Sequence, residues 1–531
     1  MSSDSLYLKQ NVLAEPLFNQ WYAWSGLIAP ATAAMFIANS HMKIMQSFVS
    51  APQVHVSALK NPAMRGGPFI NYASSRAGDI KALMEKTAKE QAHMLEFASA
   101  IHTVNDLLDN EAAGHSLEPL YQKVPNCLKG YVELVYDLHN HPSVRFIEGL
   151  LYKSRYYDTA PQSVSLSQVT QDDRPFALST PQLGGNGHVW LNTPFNNPAL
   201  DELFKMKTTA KPLEYIKDLL GVQNEDVEKF KEFFTTEAPP SSEKFGGEGL
   251  RVRYFGHACI LFETKEISVL TDPVISYAYP SNTERYTYAD LPDVIDYVVI
   301  THNHQDHCMF ETLLQLRHKI RNVIVPKNNG GGLADPSLKL VLRMIGFDNV
   351  YEIDEMESIS VPGGSITGLP FLGEHADLNI RTKIAYLVQL GEKSIVCAAD
   401  SNNIEPQLYQ HVHELIGDVD VVFIGMECEG GPLSWLYGPL LTKPLARKLD
   451  QSRRLDGSNC EKAMDLVNQL KPKHVYVYAM GQEPWLTYLT SIQYTDESKP
   501  IVESNKLVTG CRERKLVADR LYGCREIHCN N

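Results

Sequence analysis

The sequence predicts an α/β fold in which two β-sheets are covered by helices, with an additional N-terminal domain of mixed α+β structure. Residues 235–249 are rich in Pro, Ser, Gly and charge and interrupt every periodic pattern, which is typical of a linker. Helical periodicity dominates before this segment, whereas short β-type runs alternate with helical segments after it. We therefore assign residues 1–240 to the N-terminal domain and residues 241–531 to the two-sheet domain.

The composition is that of a globular protein with sizeable cores. The 531 residues are 44% hydrophobic and 21% charged, and the formal net charge of −14 argues against nucleic acid as a partner. No N-terminal signal sequence is evident. The most apolar early run, residues 26–38, is too short to span a bilayer, so we expect a buried helix or turn there and no membrane partner. The nine cysteines are scattered and odd in number, which suits the reducing cytoplasm.

The N-terminal domain contains more predicted helix than strand. Its helical patterns cover residues 79–108 and 126–136, and its short strands cover residues 163–169 and 188–192. His139 and His141 form a pair at the end of the second helical pattern, before Pro142. Because no third ligand lies nearby in sequence, we assign no metal to this pair.

The two-sheet domain contains nine runs that are typical of half-buried or buried strands. They are residues 250–256, 259–263, 267–273, 296–301, 322–326, 384–390, 394–400, 420–426 and 473–479. Residues 458–470 predict a helix that begins with a capping box of Ser458 and Glu461. The apolar face of that helix consists of Ala463, Leu466, Val467 and Leu470.

The strongest chemical signal is the motif HxHxDH, formed by His302, His304, Asp306 and His307 directly after the strand-like run 295–301. Residues i and i+2 of an extended chain point the same way, so His302 and His304 can share one metal. The chain must then turn, and Asp306 and His307 face a second position beside the first. One short segment therefore offers ligands to two metals.

Several motifs in a fixed order resemble the metallo-β-lactamase superfamily over about residues 250–485. They are YFGHACILFE, TDPV, HxHxDH, the strand that ends at Asp400, and LKPKHVYVYAMG. The resemblance implies an αββα sandwich with metal ligands at the strand ends. It further implies that Asp400 bridges two metals, while His257 and Asp272 orient the ligands from behind.

Two departures from the superfamily pattern bear on the metal. Zinc hydrolases carry a further ligand His after HxHxDH, where this chain has Glu374 beside His375, so either residue can be the ligand. They also carry a last His near the C-terminal strand, where this chain has Ala479, which cannot coordinate a metal. Glu427, at another strand end, is placed to act either as the replacement ligand or as a hydrogen-bond acceptor. We expect His474, earlier on the last strand, to be structural.

The resulting ligand set is rich in carboxylates and comprises His302, His304, Asp306, His307, Glu374, Asp400 and Glu427. A His-rich pocket suits zinc and water activation, whereas a carboxylate-rich pair resembles the di-iron sites that activate oxygen. Anionic oxygens stabilise oxidised iron, and a carboxylate can change its binding mode to open a coordination position. We therefore expect Glu374 and Asp400 to take part in catalysis, and His375, like His257 and Asp272, to support the ligands from behind.

With these substitutions the chain resembles the di-iron β-hydroxylases of the chloramphenicol-pathway type over nearly its whole length. The resemblance rests on Glu374, Ala479, the large N-terminal domain and the segment NVLAEPLFNQWYAWSGLIAPATAAMFIA. It implies a cytoplasmic non-haem di-iron monooxygenase of antibiotic biosynthesis. Such an enzyme uses two iron ions and O2 to hydroxylate the β-carbon of an amino acid held on a carrier domain of a nonribosomal peptide synthetase. It also implies an external electron donor and a homodimer.

Substrate and partner contacts are less specific in the sequence. Trp435 and Tyr437 lie in a segment framed by Gly and Pro, residues 430–439, and are our candidates for substrate contact. Carrier domains are usually acidic, and the basic segment 511–520 is one candidate for docking, although a solvated helix face also explains it.

Three other functions remain open from the sequence. The first is a zinc- or manganese-dependent hydrolase of an ester, lactone or phosphodiester, which would use His375 in place of Glu374. The second is a flavodiiron-like reductase, whose motif usually has Glu where His304 stands here. The third is a binding protein on a degenerate fold, which the intact HxHxDH motif and Asp400 oppose.

Overall fold

A computed structural model describes residues 5–185, 187–240 and 245–528. The strands of the N-terminal half are β1 (Ser5–Leu8), β2 (Val12–Phe18), β3 (Trp21–Tyr22), β4 (Val132–Tyr136), β5 (Pro142–Phe146), β6 (Gln162–Gln168), β7 (Val189–Leu191), β8 (Lys211–Pro212) and β9 (Phe234–Thr235). Its α-helices are α1 (Ser25–Ile28), α2 (Pro30–Phe36), α3 (Met42–Ser50), α4 (Pro52–Leu59), α5 (Ala77–Glu90), α6 (Ala92–Glu111), α7 (Glu148–Leu151), α8 (Pro198–Lys205), α9 (Leu213–Leu220) and α10 (Val227–Lys231).

The C-terminal half contains most of the strands. They are β10 (Arg251–Gly256), β11 (Cys259–Glu263), β12 (Ser268–Thr271), β13 (Ile295–Val299), β14 (Ile320–Pro326), β15 (Val350–Ile353), β16 (Ser358–Val361), β17 (Gly364–Leu369), β18 (Ala385–Leu390), β19 (Lys393–Cys397), β20 (Val421–Gly425), β21 (His474–Tyr478), β22 (Val517–Arg520) and β23 (Arg525–Ile527). Its α-helices are α11 (Phe310–Leu316), α12 (Leu338–Met344), α13 (Gln407–Ile416), α14 (Leu433–Tyr437), α15 (Arg447–Ser452), α16 (Cys460–Leu470), α17 (Thr487–Thr490) and α18 (Lys499–Glu513).

In the described residues, the strands of this half form two seven-stranded sheets. Their orders are β15-β14-β13-β12-β11-β10-β23 and β16-β17-β18-β19-β20-β21-β22. Strands β12 to β15 run parallel to one another, and so do strands β19 to β22. The carboxyl ends of parallel strands lie at one edge of a sheet, so the loops that follow them come together there. All nine predicted strands are present, and the predicted αββα sandwich is confirmed.

Three apolar layers hold the sandwich together. The layer between the two sheets includes Tyr254, Phe262 and Phe423. A second layer packs α13, α16 and α18 on the outer face of the second sheet. The third joins α11, α12 and the outer face of the first sheet to the N-terminal half in one continuous cluster. The N-terminal half therefore takes part in the outer helical layer of the sandwich.

The predicted helix over residues 126–136 is wrong. Residues 132–136 form β4, which pairs antiparallel with β5. Val132 and Leu134 are buried while Glu133 between them is half-buried, and this alternation is the strand pattern that the helical interpretation missed. His139 and His141 consequently lie in the exposed turn between the strands, where their backbone N–H groups each donate to Asp137 Oδ1 at 2.8 Å.

The predicted capping box of the helix over residues 458–470 is also wrong. The helix begins after Asn459, whose side-chain oxygen accepts from the Lys462 N–H at 3.0 Å. Ser458 is fully buried, and its hydroxyl donates to the Ser401 carbonyl at 2.9 Å. A serine that packs in the interior is not available as a cap, which only its tertiary contacts reveal. The predicted apolar face of this helix is confirmed.

The predicted buried helix within residues 26–38 is confirmed as α1 and α2, which continue through a π-helix (Ile37–His41) into α3. Among the described helices, none has the length and apolar character needed to cross a membrane. Thr235, the first residue of the predicted linker, ends β9, residues 236–240 and 245–249 contain neither helix nor strand, and residues 241–244 lie outside the described residues.

A buried ion pair joins the two halves of the chain. Both terminal nitrogens of Arg174 donate to Glu311 at 3.0 Å, and one of them also donates to Glu15 at 3.0 Å. The guanidinium lies 3.4 Å from the ring centroid of Tyr488. The Tyr277 hydroxyl also donates to Glu311, at 2.9 Å. Glu311 belongs to α11, next to the HxHxDH loop, so this network fixes the N-terminal half against the region that carries the motif.

Arg174→Leu is expected to lower the free energy of unfolding by about 3–5 kcal/mol, because it leaves buried carboxylates without their cation. Urea denaturation followed by tryptophan fluorescence measures the change. Arg155→Leu is the matched control, because Arg155 and its partner Glu96 are both largely exposed and 4.0 Å apart; it is expected to cost less than about 1 kcal/mol. Equal losses in the two variants would contradict a structural role for the buried pair.

Candidate metal centre

The polar side chains with metal-ligating atoms converge at the carboxyl ends of the parallel strands. His302 follows β13, Asp400 follows β19 and Glu427 follows β20. Asp272 follows β12 on the first sheet. The two sheets thus present their strand-end loops to each other, and residues far apart in sequence meet in one cluster.

One group of ligating atoms comprises His302, His304 and Glu374, which lie within 4.8 Å of one another. His304 Nδ1 is 2.9 Å from Glu374 Oε1. All three residues are buried. As the extended-chain argument predicted, His302 and His304 face a common position.

The second group surrounds His307. Its Nε2 lies 3.1 Å from Asp400 Oδ2 and 3.2 Å from His257 Nε2, and His257 Nε2 is 3.3 Å from Asp306 Oδ2. Asp400 Oδ2 is also 3.7 Å from His302 Nε2. Asp400 therefore lies between the two groups, which is the position of a bridging carboxylate.

The structure places His257 inside the second group, whereas the sequence predicted that it would orient ligands from behind. Its ring points at the same space as Asp306 and His307. The main-chain carbonyl of His257 accepts from Ala479 N–H at 3.0 Å, and its Nδ1 accepts from Gly481 N–H at 3.2 Å. The inward position of His257 could not be predicted from the sequence, because the tertiary fold alone brings its loop next to the HxHxDH loop.

Asp272 has the supporting position that the sequence predicted for it. It is fully buried and accepts from the Thr301 N–H at 2.7 Å and from the Thr301 hydroxyl at 2.6 Å. Its Oδ2 lies 2.8 Å from His307 Nδ1. This contact fixes the ring so that Nε2 of His307 faces the centre.

The donor atoms fit a pair of cations. Nε2 of His302 and Oδ1 of Asp400 are buried and lack a hydrogen-bond partner among the described residues. Burial and the charges of Asp400 and Asp306 raise the pKa of Glu427 well above its ordinary value. Burial and the neighbouring His307 and His304 lower the pKa of His302 well below its ordinary value, which favours the neutral form that binds metal. Bound cations would satisfy these unpartnered atoms and reduce the repulsion between the neighbouring carboxylates.

Glu374, and not His375, faces the cluster. Glu374 has a left-handed backbone with φ 65°, a conformation that costs about 1–2 kcal/mol for a residue with a Cβ. His375 Nδ1 lies 2.7 Å from Glu374 Oε2, on the side away from His304 Nδ1, and its ring stacks on His304 at 4.6 Å. Burial alone would raise the pKa of Glu374, but His304 and His375 lower it to about 2. The carboxylate is thus held ionised, with His375 behind it.

Tyr437 contacts the metal-centre residues and not the open cleft. Its ring is buried, and its hydroxyl lies 3.0 Å from His304 Nε2. Because Nδ1 of the same ring faces Glu374, Tyr437 fixes the orientation of His304. This placement differs from the predicted substrate contact. Trp435, by contrast, is 40% exposed and lines the cleft, as expected for a residue that meets substrate.

Strand β21 contributes no ligating atom to the groups found among the described residues. Ala479 follows β21 at the position where the sequence comparison placed it, and it is fully buried. His474 lies at the opposite, amino-terminal end of β21. Glu427 lines the cleft beside Asp306, Glu374 and Asp400, on the same side as the centre.

A cleft between the two halves of the chain opens onto this centre. The part of the cleft that borders the candidate ligands, called here the metal compartment, has a volume of about 520 Å³. It includes Arg65 and Phe69 from the N-terminal half and Arg454 from the C-terminal half. A second compartment of about 600 Å³ adjoins it and shares Phe69 and Trp435. The lining of the second compartment includes the aromatic side chains of Trp21, Trp24, Phe36 and Phe176 together with polar residues such as Asn39 and Lys43. None of these residues of the N-terminal half was predicted from the sequence to belong to the site.

Two protein families match the chain. The family described as "Diiron non-heme beta-hydroxylase N-terminal domain" matches residues 7–239. The family described as "Beta-lactamase superfamily domain" matches residues 251–478.

One similar relative is the 4-amino-L-phenylalanyl-[CmlP-peptidyl-carrier-protein] 3-hydroxylase of Streptomyces venezuelae. It is 41% identical over 524 residues, which cover 97% of this chain and 98% of the relative. Among solved structures, CmlA, a diiron beta-hydroxylase from Streptomyces venezuelae, superposes with a TM-score of 0.93 at 41% identity. The match covers 99% of this chain and 100% of that chain.

If Glu374 is a ligand as predicted, Glu374→Gln is expected to weaken iron binding by at least the roughly 100-fold upper range known for residues that support ligands, because it replaces an anionic oxygen donor by a neutral amide. His375→Gln is expected to weaken iron binding only about 10-fold, because His375 supports Glu374 from behind. Iron retained after dialysis against graded chelator measures both affinities. A larger loss in the His375 variant than in the Glu374 variant would reverse the assignment and favour the hydrolase ligand set.

Tyr437→Phe is expected to lower iron affinity about 10-fold, because His304 loses the contact that orients its ring. The same chelator titration measures it. Tyr152→Phe serves as the control, since the Tyr152 hydroxyl is buried and has no hydrogen-bond partner among the described residues. Unchanged iron affinity in the Tyr437 variant would show that His304 is held by its other contacts alone.

Proposed function

The chain belongs to the family of non-haem di-iron β-hydroxylases, and from that premise we propose that it hydroxylates the β-carbon of an aminoacyl group held as a thioester on a carrier domain of a nonribosomal peptide synthetase. Each turnover consumes one O2, two electrons and two protons. One oxygen atom enters the β C–H bond as a hydroxyl group, and the other leaves as water. The observation that carries the proposal is the carboxylate-rich centre with Asp400 between its two groups of donors.

We propose the following ligand set: His302, His304, Asp306, His307, Glu374, Asp400 and Glu427. His257 is a further candidate because its Nε2 faces the same space. Bound iron supplies the redox chemistry that activates O2 and oxidises the C–H bond. Asp272, His375 and Tyr437 support these residues through the contacts at His307, Glu374 and His304. Carboxylates that can bind through one or two oxygens suit a centre whose coordination changes when substrate arrives.

The two-compartment cleft supports a substrate with a large apolar side chain. The aromatic compartment has room for an aromatic aminoacyl side chain, while the metal compartment receives the β-carbon and the thioester. Leu436, Leu455 and Leu489 line the metal compartment beside the carboxylates and restrict water around the reacting carbon. The Streptomyces venezuelae relative is named for a 4-amino-L-phenylalanyl substrate, and we propose an aromatic aminoacyl group for this chain also.

The remaining partners follow from the same chemistry. O2 reduction requires two electrons beyond those of the C–H bond, so we propose an external electron donor. The family resemblance supports a homodimer. The eight cysteines of the described residues are all free, which suits the cytoplasmic location that we propose.

Zinc- or manganese-dependent hydrolysis is the alternative, and the position of His375 opposes it. A hydrolase that used His375 would need its ring in the centre, whereas this ring stands behind Glu374.

We expect the iron-loaded protein to add one oxygen atom to 4-amino-L-phenylalanyl-loaded CmlP carrier domain when a reductant and O2 are present. With ¹⁸O2, intact mass spectrometry should show a gain of one heavy oxygen, and hydrolytic release followed by chromatography should locate it on the β-carbon. Asp400→Ala is the matched inactive variant, because it removes the residue that lies between the two groups. Thioester cleavage without oxygen incorporation would favour the hydrolase.

A further inference from the structure

A short exposed helix stands beside the mouth of the cleft and presents cations around an apolar side chain. Leu449, in the middle of α15, is 55% exposed. Arg447 and Lys448, which precede it, are exposed and form no side-chain hydrogen bond or ion pair with any described residue. Two adjacent exposed cations without an acidic partner among the described residues thus stand at this site, in a chain whose net charge is −14.

The fold holds this helix in place through other residues. Asp450 accepts from the Ser434 N–H and from the Ser434 hydroxyl, both at 2.8 Å, which fastens α15 to α14. Arg453 Nε donates to the Ala376 carbonyl at 2.9 Å, and Lys443 pairs with Asp109 of the N-terminal half at 2.7 Å. With Asp450 engaged, Arg447, Lys448, Leu449, Gln451 and Ser452 of α15 remain exposed.

Residues that closely follow α15 in the chain line the metal compartment. Arg454, two residues after α15, lines that compartment and donates to the Gly430 carbonyl. Trp435 of α14 forms part of the rim, and its indole N–H donates to the Gly66 carbonyl at 3.0 Å. Arg65 lines the same compartment from the N-terminal half. Two cations, Arg65 and Arg454, thus line the compartment that the chain enters after α15, alongside the acidic Glu429.

We propose that α15 is the docking surface for the acidic carrier domain that delivers the aminoacyl group. The inference rests on the proposed function and extends it by naming where the partner binds. Arg447 and Lys448 meet acidic side chains of the carrier domain, and Leu449 packs into its apolar surface. Arg454 and Arg65 then lie along the entry path, where a phosphopantetheine arm carries its single phosphate.

The basic segment 511–520 is not placed for this task. It joins α18 to β22, and Val517 begins β22 beside His474, at the amino-terminal end of the parallel strands. Asp400 and Glu427 follow the carboxyl-terminal ends of β19 and β20 in the same sheet. Arg514 and Lys515 are exposed cations at this opposite edge, and they provide a matched control.

The test is a binding titration with fluorescently labelled CmlP carrier domain, in its phosphopantetheinylated but unloaded form so that no chemistry takes place. Fluorescence anisotropy gives the Kd for wild type, for the double variant Arg447→Glu with Lys448→Glu, for Leu449→Asp, and for the control Arg514→Glu with Lys515→Glu. The α15 charge reversal is expected to raise the Kd at least about 10-fold, and the control is expected to leave it unchanged. Leu449→Asp is expected to raise the Kd in the same direction. Iron content and thermal melting show that each variant folds.

The outcomes separate docking from function. An equal Kd for wild type and the α15 charge reversal, or a failure of wild type to bind, overturns the docking proposal even when the wild-type protein hydroxylates the loaded carrier domain. A Kd that responds to α15 and not to the control supports docking even if no hydroxylated product forms, and in that case the proposed function fails instead. A Kd that responds equally to both charge reversals indicates long-range electrostatics and also overturns the assignment to α15.

Discussion

Convergence of carboxylates in a buried cleft is the constraint on which the rest of this structure depends. Asp306, Glu374, Asp400 and Glu427 all line one compartment, and burial together with the charges of Asp400 and Asp306 raises the pKa of Glu427 although Arg65 and Arg454 line the same compartment. Such a group is stable only when cations compensate it or when some of the acids take up protons. Strands that end at a common edge, the network behind His307 and the left-handed turn at Glu374 all hold these oxygens in place for metal.

Two strand-end positions give this centre its carboxylate-rich character. A left-handed backbone at Glu374 directs its carboxylate towards His304 and places His375 behind it. Ala479 offers no donor atom after β21, whereas Glu427 after the neighbouring β20 adds a carboxylate to the compartment. A donor set rich in oxygen suits oxidised iron, which fits the di-iron family to which the chain belongs.

The N-terminal half completes the site as well as covering it. It supplies Arg65, Phe69 and the aromatic residues of the second compartment, and it shares one apolar core with the outer helices of the sandwich. The buried network of Arg174, Glu311 and Glu15 fixes this arrangement near the HxHxDH loop. The compartment at the candidate ligands is therefore built from both halves of the chain.

The sequence by itself determined the α/β class with two sheets, all nine predicted strands and the closely spaced candidate ligands of HxHxDH, because apolar runs and ligand spacing are written in short segments. It also favoured Glu374 over His375 as the ligand residue. Only the tertiary structure decided the inward position of His257, the orientation of Tyr437 towards His304 and the burial of Ser458. These features arise from contacts between segments that are remote along the chain, and such contacts leave no periodic trace in a single sequence. The sequence pattern of residues 126–136 was interpreted as a helix, and that prediction was wrong. Residues 132–136 form a strand because they pair with β5, which the local sequence does not reveal.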